Sequence, residues 1–189
     1  MRRIHVCGGG LRALVMADVA RRVADVSGRR AIVTWGWFDE PRAPELNVYP
    51  PDDVVTEPPA GALLVNCPQA EDSFHVEEFS GEVAGDPLAL RLALLALPPK
   101  QSAIGEGAEA TLLRWRAAVA QWAESPGAPL SKPHVEAALA AVTDFDTSRA
   151  VEVLREVEAD NQLAAGAKFE TFAFLDRVFG LDLARDLGR

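Results

Sequence analysis

"IHVCGGGLRALVMADVARRVADVSG" (residues 4–28) sets a short strand and three successive glycines against a long amphipathic run. Arg3 to Cys7 reads as the strand, and Leu11, Val15, Val19, Val23 and Val26 recur at helical spacing to give an apolar face that closes at Gly28. "AIVTWGWF" (31–38) is β-branched and aromatic, which predicts a second buried strand. A strand, a helix and a strand this close together predict a parallel βαβ unit with a right-handed crossover. Gly8, Gly9 and Gly10 therefore stand where a nucleotide-phosphate loop would, without the spacing of a Walker loop or a dinucleotide fingerprint. Two readings stay open: a tight strand-to-helix turn with no ligand, and a surviving anion or adenosine site.

Outward from this unit the chain changes character once. Residues 39–59 read as loop with at most a short strand at Val54-Val55, and "GALLVNCP" (61–68) predicts a third strand. At Asp86 a helix cap followed by Pro87 opens an apolar run that Pro98 stops. Further helices are expected over Glu106 to Glu124, Pro133 to Val142, Thr147 to Ala165 (ended by Gly166) and Ala167 to Phe179 (ended by Gly180). "SPGAPLSKP" (125–133) is a turn or a hinge between two of them. The expectation is an α/β region at 1–85 with a small parallel sheet, a remnant of a Rossmann-like nucleotide-binding fold, followed by an all-α helical bundle at 86–189.

Composition excludes several function classes. The 189 residues carry a formal charge of -9, which repels a nucleic-acid backbone on average. No apolar run reaches the roughly 18 residues that read as a membrane span, and the opening Met1-Arg2-Arg3 leads into a strand pattern instead of a signal-peptide core. Cys7 and Cys67 are too few for a disulfide framework, so a cytoplasmic protein with reduced thiols is expected.

Several stretches resemble one family when taken in order. "GDPLALRLALLALPPKQ" (85–101), "ATLLRWRAAVAQW" (110–122), "ALAAVTDFDTSRAVEVLREVEADNQLAAG" (138–166) and "FAFLDRVFGLDL" (172–183) are similar to the last part of cysteinyl-tRNA synthetases and of their relatives, the mycothiol cysteine ligases. "IHVCGGG" (4–10) resembles the family's strand and Val-Cys-Gly-Pro start, and residues 17–35 resemble the helix and strand after it. The resemblance covers about two thirds of the chain and implies class I synthetase ancestry. Against it, the His-rich signature that stabilises ATP phosphates at the first helix is missing. The Lys-Ser loop that the family places before the Asp-Pro helix is missing too, for no Lys or Arg occurs between Arg42 and Arg91 while ten acidic residues do. Most of the catalytic insertion is absent.

The resemblance also implies a zinc site. Cys7 falls on the family's zinc-binding cysteine, and Cys67, His75 and Glu78 are the residues that would complete a four-ligand set. The alternatives are two buried free thiols and a "FHVEEF" turn (74–79) in which His75 has no ligand role. Trp35 and Trp37, on one side of the second strand near its carboxyl end, would stack on a base or pack the sheet against the helical half. Arg114 and Arg116 read as a solvated face or, by family analogy, as an RNA contact. His5 and His134 show no partner in sequence, and no catalytic residue is assigned.

These readings converge on a catalytically degenerate synthetase-like protein serving as a binding or regulatory module. A cysteine-like small molecule or a protein partner is expected, with a homodimer through apolar surface left by the missing insertion. ATP is disfavoured as a cofactor, and zinc remains open. The alternatives are a minimal cysteine- or thiol-dependent ligase with zinc at Cys7, and an accessory protein that binds tRNA through the helical half.

Overall fold

A computed structural model describes residues 1–8, 10–81 and 83–188. The elements in order are β1 (Arg2–Val6), α1 (Leu11–Val26), β2 (Ala31–Trp35), a 3-10 turn at Pro44–Leu46, β3 (Asp53–Val54), β4 (Leu63–Val65), α2 (Pro87–Ala96), α3 (Ala108–Ala123), α4 (Lys132–Thr143), α5 (Thr147–Ala159) and α6 (Ala165–Phe179). The four strands are parallel, in the order β3-β2-β1-β4. Register runs from Arg2↔Ala31 to Val6↔Trp35 on one side of β1 and from Ile4↔Leu63 to Val6↔Val65 on the other. The chain thus builds two strands outward from β1 and then returns to add β4 on its opposite edge. An α/β region with a small parallel sheet followed by helices is what the hydrophobic patterning predicts. Among the described residues no helix is long and apolar enough to cross a membrane.

α1 is the axis of the molecule. Its periodicity predicts one apolar face, yet every residue from Leu11 to Ala20 is buried. The sheet lies on one side of the helix, and α2, α4 and α6 lie on others. Ala13, Ala17, Ala20 and Ala24 keep it slim enough for close approach from several directions. One contiguous apolar core consequently runs from Ile4 and Val6 through Leu14 and Val15 to Leu94, Trp115, Val151 and Phe172.

Burying α1 on all sides also buries its charges. Asp18 accepts hydrogen bonds from Arg22 Nε at 2.8 Å and from a terminal nitrogen of Arg91 at 2.6 Å, with its other oxygen taking the Tyr49 amide at 3.1 Å. Arg91, 0% exposed, donates further to the carbonyls of Phe179 (2.5 Å) and Leu46 (2.8 Å). One guanidinium from α2 thereby ties together α1, the 3-10 turn and the end of α6. Every strong donor and acceptor in this cluster has a partner, the condition under which a buried ion pair is tolerated.

The second polar junction surrounds Asp86. Its carboxylate caps α2 through the Leu88 amide at 2.9 Å and takes Arg116 of α3 at 2.6 Å and Arg185 at 2.7 Å. The solvated face expected for Arg116 is therefore corrected: this side chain is 2% exposed and also reaches the carbonyls of Leu181 and Asp182. Arg114 does remain on the surface, paired with Glu158. Partial burial works against ionisation of Asp86, but hydrogen bonds from Arg116 and the Leu88 amide, with the charges of Arg116 and Arg185, outweigh it and hold the carboxyl below its ordinary range.

The helix boundaries differ from expectation at one place. Gly166 does not end α5; it sits in the first turn of α6. A Cβ there would stand 2.1 Å from the Pro126 carbonyl oxygen, because the 125–133 linker packs directly on this turn. The Ser131 amide donates to Thr171 Oγ1 at 2.8 Å, so the linker is a fastened connection.

Arg91→Leu should lower the unfolding free energy by about 3–5 kcal/mol, since it leaves Asp18 and two carbonyls short of a buried donor. In urea titrations Arg149→Leu, which opens only an exposed pair with Glu156, should leave the midpoint unchanged. Because the folded carboxyl of Asp86 titrates below its ordinary 3.8, its contribution is present above that value and is lost as pH falls through the folded one. Asp86→Asn should accordingly show a shallower fall of thermal midpoint on acidification from pH 5 to 2 than the parent protein.

Candidate functional site

In open parallel sheets ligands settle beyond the carboxyl ends of the strands where the strand order reverses. Here that place lies between β1 and β4, and it is occupied by a covalent link. Cys7 follows β1, Cys67 follows β4, and the two form a disulfide with Cα atoms 4.8 Å apart. The expectation of reduced, separate thiols is corrected. The two residues are 60 apart in sequence, but pairing of Val6 with Val65 carries the chains out of the sheet side by side, and the Cys7 amide still reaches the Val65 carbonyl at 3.1 Å.

Backbone packing around the bridge is tight. Gly36, just past β2, donates its amide to the Val6 carbonyl at 2.8 Å, and a Cβ on it would lie 2.9 Å from the Cys7 carbonyl oxygen. The chain turns at once, with the Phe38 amide on the Gly36 carbonyl at 3.1 Å. β2 therefore ends at Trp35 instead of reaching Phe38, and the two tryptophans do not share a face of it. Trp35 is half-buried and stacks on Phe38 with ring centroids 5.6 Å apart, whereas Trp37 is 80% exposed.

Beside the bridge lies a cleft of about 420 Å³ lined by Gly10, Leu11, Arg12, Ala13, Glu40, Arg42, Asn66, Val76, Glu77, Glu78 and Phe79. Gly10 caps α1 with a positive φ of 121°, and among the described residues no side chain caps the first-turn amides. Gly8 packs against the Asn66 carbonyl, while Gly9 lies outside the described residues. Glu78 Oε1 lies 3.9 Å from where a Gly10 Cβ would stand, so a carboxylate borders the positive end of the helix. Glu40 and Glu77 add to the acidic rim.

Arg12 supplies no free charge to this cleft. It is 3% exposed and donates to the carbonyls of Glu77 (3.0 Å), Gln101 (2.5 Å), Leu97 (2.8 Å) and Pro98 (2.6 Å). Burial lowers its pKa and the charge of Glu77 opposes that shift. The side chain pins the exit of α2 against the start of α1. Sequence reasoning passes over Arg12 because its partners are backbone carbonyls, which no residue type announces.

The zinc set does not assemble around this bridge. His75 and Glu78 are exposed on the loop after β4, and among the described residues no three His, Cys, Asp or Glu side chains converge on a metal-sized site. Both sulfurs are bonded to each other, so neither is a thiolate available to a metal. His5 sits in the sheet, 1% exposed, with Nδ1 2.8 Å from Thr34 Oγ1, and burial pushes its pKa down. His134 pairs with Ser131 Oγ at 2.6 Å.

Arg12→Leu should destabilise the protein by about 3 kcal/mol or more, because four carbonyls lose a charged donor. Limited proteolysis should then cut first within 77–107, the segment that Arg12 holds. Comparison with protein-family models, with curated proteins and with solved structures finds no match.

Proposed function

We propose that the chain is a binding module on a nucleotide-type fold that does not handle ATP, a catalytically degenerate counterpart of the cysteinyl-tRNA synthetases its sequence resembles. Its ligand is a small amino-acid-like molecule, held in the cleft beside the Cys7–Cys67 bridge. One observation carries this reading: this cleft has the uncapped amides of α1 on one side and Glu40, Glu77 and Glu78 around it. A carboxylate suits the amides and an ammonium suits the glutamates. A triphosphate finds little to neutralise it. Arg12 is committed to carbonyls, Arg42 lies 3.8 Å from Glu45, and no lysine lines the cleft.

Thermal unfolding with L-cysteine, other amino acids, ATP and a non-hydrolysable cysteinyl-adenylate analogue tests this. An amino acid at about 100 times its dissociation constant should stabilise the fold by about 2.7 kcal/mol. The midpoint should rise by about 5–10 °C, and ATP should leave it in place. Glu78→Gln should weaken the amino acid about tenfold. A shift with ATP alone, or amino-acid-dependent exchange of pyrophosphate into ATP, would overturn the proposal.

A further inference from the structure

The Cys7–Cys67 bridge has three features that set it apart from a structural staple. Neither cysteine belongs to the contiguous apolar core, although Val6 and Val65 beside them do and Cys67 is itself buried. The strands it joins are already paired from Ile4↔Leu63 to Val6↔Val65. The loop beyond Cys67 is closed by its own hydrogen bonds. Asn66 exchanges two bonds with Val76, its amide takes the Phe74 carbonyl at 2.9 Å, and Ser73 Oγ accepts the Cys67 amide at 2.8 Å. Sheet, core and loop are each complete without the sulfur–sulfur bond.

The two sulfurs are also unequal. Cys67 is 3% exposed, whereas Cys7 is half-buried, on the short stretch between β1 and α1. An incoming nucleophile meets Cys7 first.

We propose that Cys7–Cys67 is an exchangeable disulfide that takes a low-molecular-weight thiol covalently at Cys7, with Cys67 as the resolving cysteine. The thiolate of the small thiol attacks Cys7 Sγ and forms the new sulfur–sulfur bond. The Cys7–Cys67 bond breaks, its electron pair leaves on Cys67, and that thiolate takes a proton from water. Return of the Cys67 thiolate onto Cys7 expels the small thiol and restores the bridge. A second equivalent of thiol instead leaves as the small-molecule disulfide and yields two reduced cysteines. In either opened form the stretch that follows β4 and leads to Glu77 and Glu78 keeps its hydrogen bonds and loses its covalent tie to the residue after β1.

The test uses the full chain, purified without reductant, in native buffer. L-cysteine or glutathione is titrated in, the reaction is quenched with iodoacetamide, and intact mass and peptide mapping are read. The expected sequence is an intact bridge, then one thiol adduct on Cys7 with Cys67 alkylated, then two alkylated cysteines, the far-ultraviolet dichroism staying native throughout. Two single variants check the asymmetry independently: with oxidised glutathione, Cys67→Ser should form its adduct about tenfold faster than Cys7→Ser. An adduct on Cys67, equal rates in the two variants, or a bridge that reacts only after denaturant is added would overturn the proposal. So would two free thiols that oxidised glutathione leaves unbridged. The readout is covalent mass, so its failure is distinct from failure of the amino-acid cleft.

Discussion

The carboxylate of Asp18 is the constraint around which the molecule is organised. It lies on a helix buried from all directions, so its charge must be met from inside. Arg22 and Arg91 meet it, and because Arg91 also holds the carbonyls of Leu46 and Phe179, neutralising one charge fixes where α2, the 3-10 turn and the end of α6 can lie. Arg12 repeats the device at the amino end of the same helix, with carbonyls in place of a carboxylate. Arg116 repeats it at the capped start of α2. Three arginines, each meeting loops from elsewhere in the chain, orient a set of short elements that apolar packing alone would leave free to slide.

These junctions explain which parts of the fold are legible in the sequence. Leu11, Val15, Val19 and Val23 announce α1, and Asp86-Pro87 announces the start of α2, because periodicity and capping are local properties. The strand order is not local: nothing in residues 61–68 says on which side of β1 they will lie. The same limit hides the disulfide, since two cysteines 60 residues apart become neighbours only when β4 pairs beside β1. Arg116 misleads for a different reason. It stands two residues from the exposed Arg114 and looks solvated, yet it pairs with Asp86 and with backbone carbonyls of a distant turn. Trp37 misleads through its neighbour, for Gly36 turns the chain against Cys7 one residue before the indole would have continued the strand.

The cleft follows from the same architecture. The cleft lies beside the bridge that joins the ends of β1 and β4, and the acidic segment between Arg42 and Arg91 supplies two of its three glutamates. The cleft therefore presents carboxylates, the chemistry on which the proposed ammonium ligand rests.

The central position of α1 carries a consequence for how the chain acquires its shape on the ribosome. The helix is made early with Arg22 beside Asp18, but the second guanidinium that meets this carboxylate arrives 73 residues later, and the carbonyls that orient it extend to Phe179. A nascent chain carrying only the sheet residues would hold a half-wrapped helix whose Asp18 meets Arg22 alone, so the gain from closing the core waits until residues through Phe179 have emerged. Closure of this core depends on contacts of long sequence separation, which form slowly and leave apolar surface such as the alanine-rich helix open in the meantime.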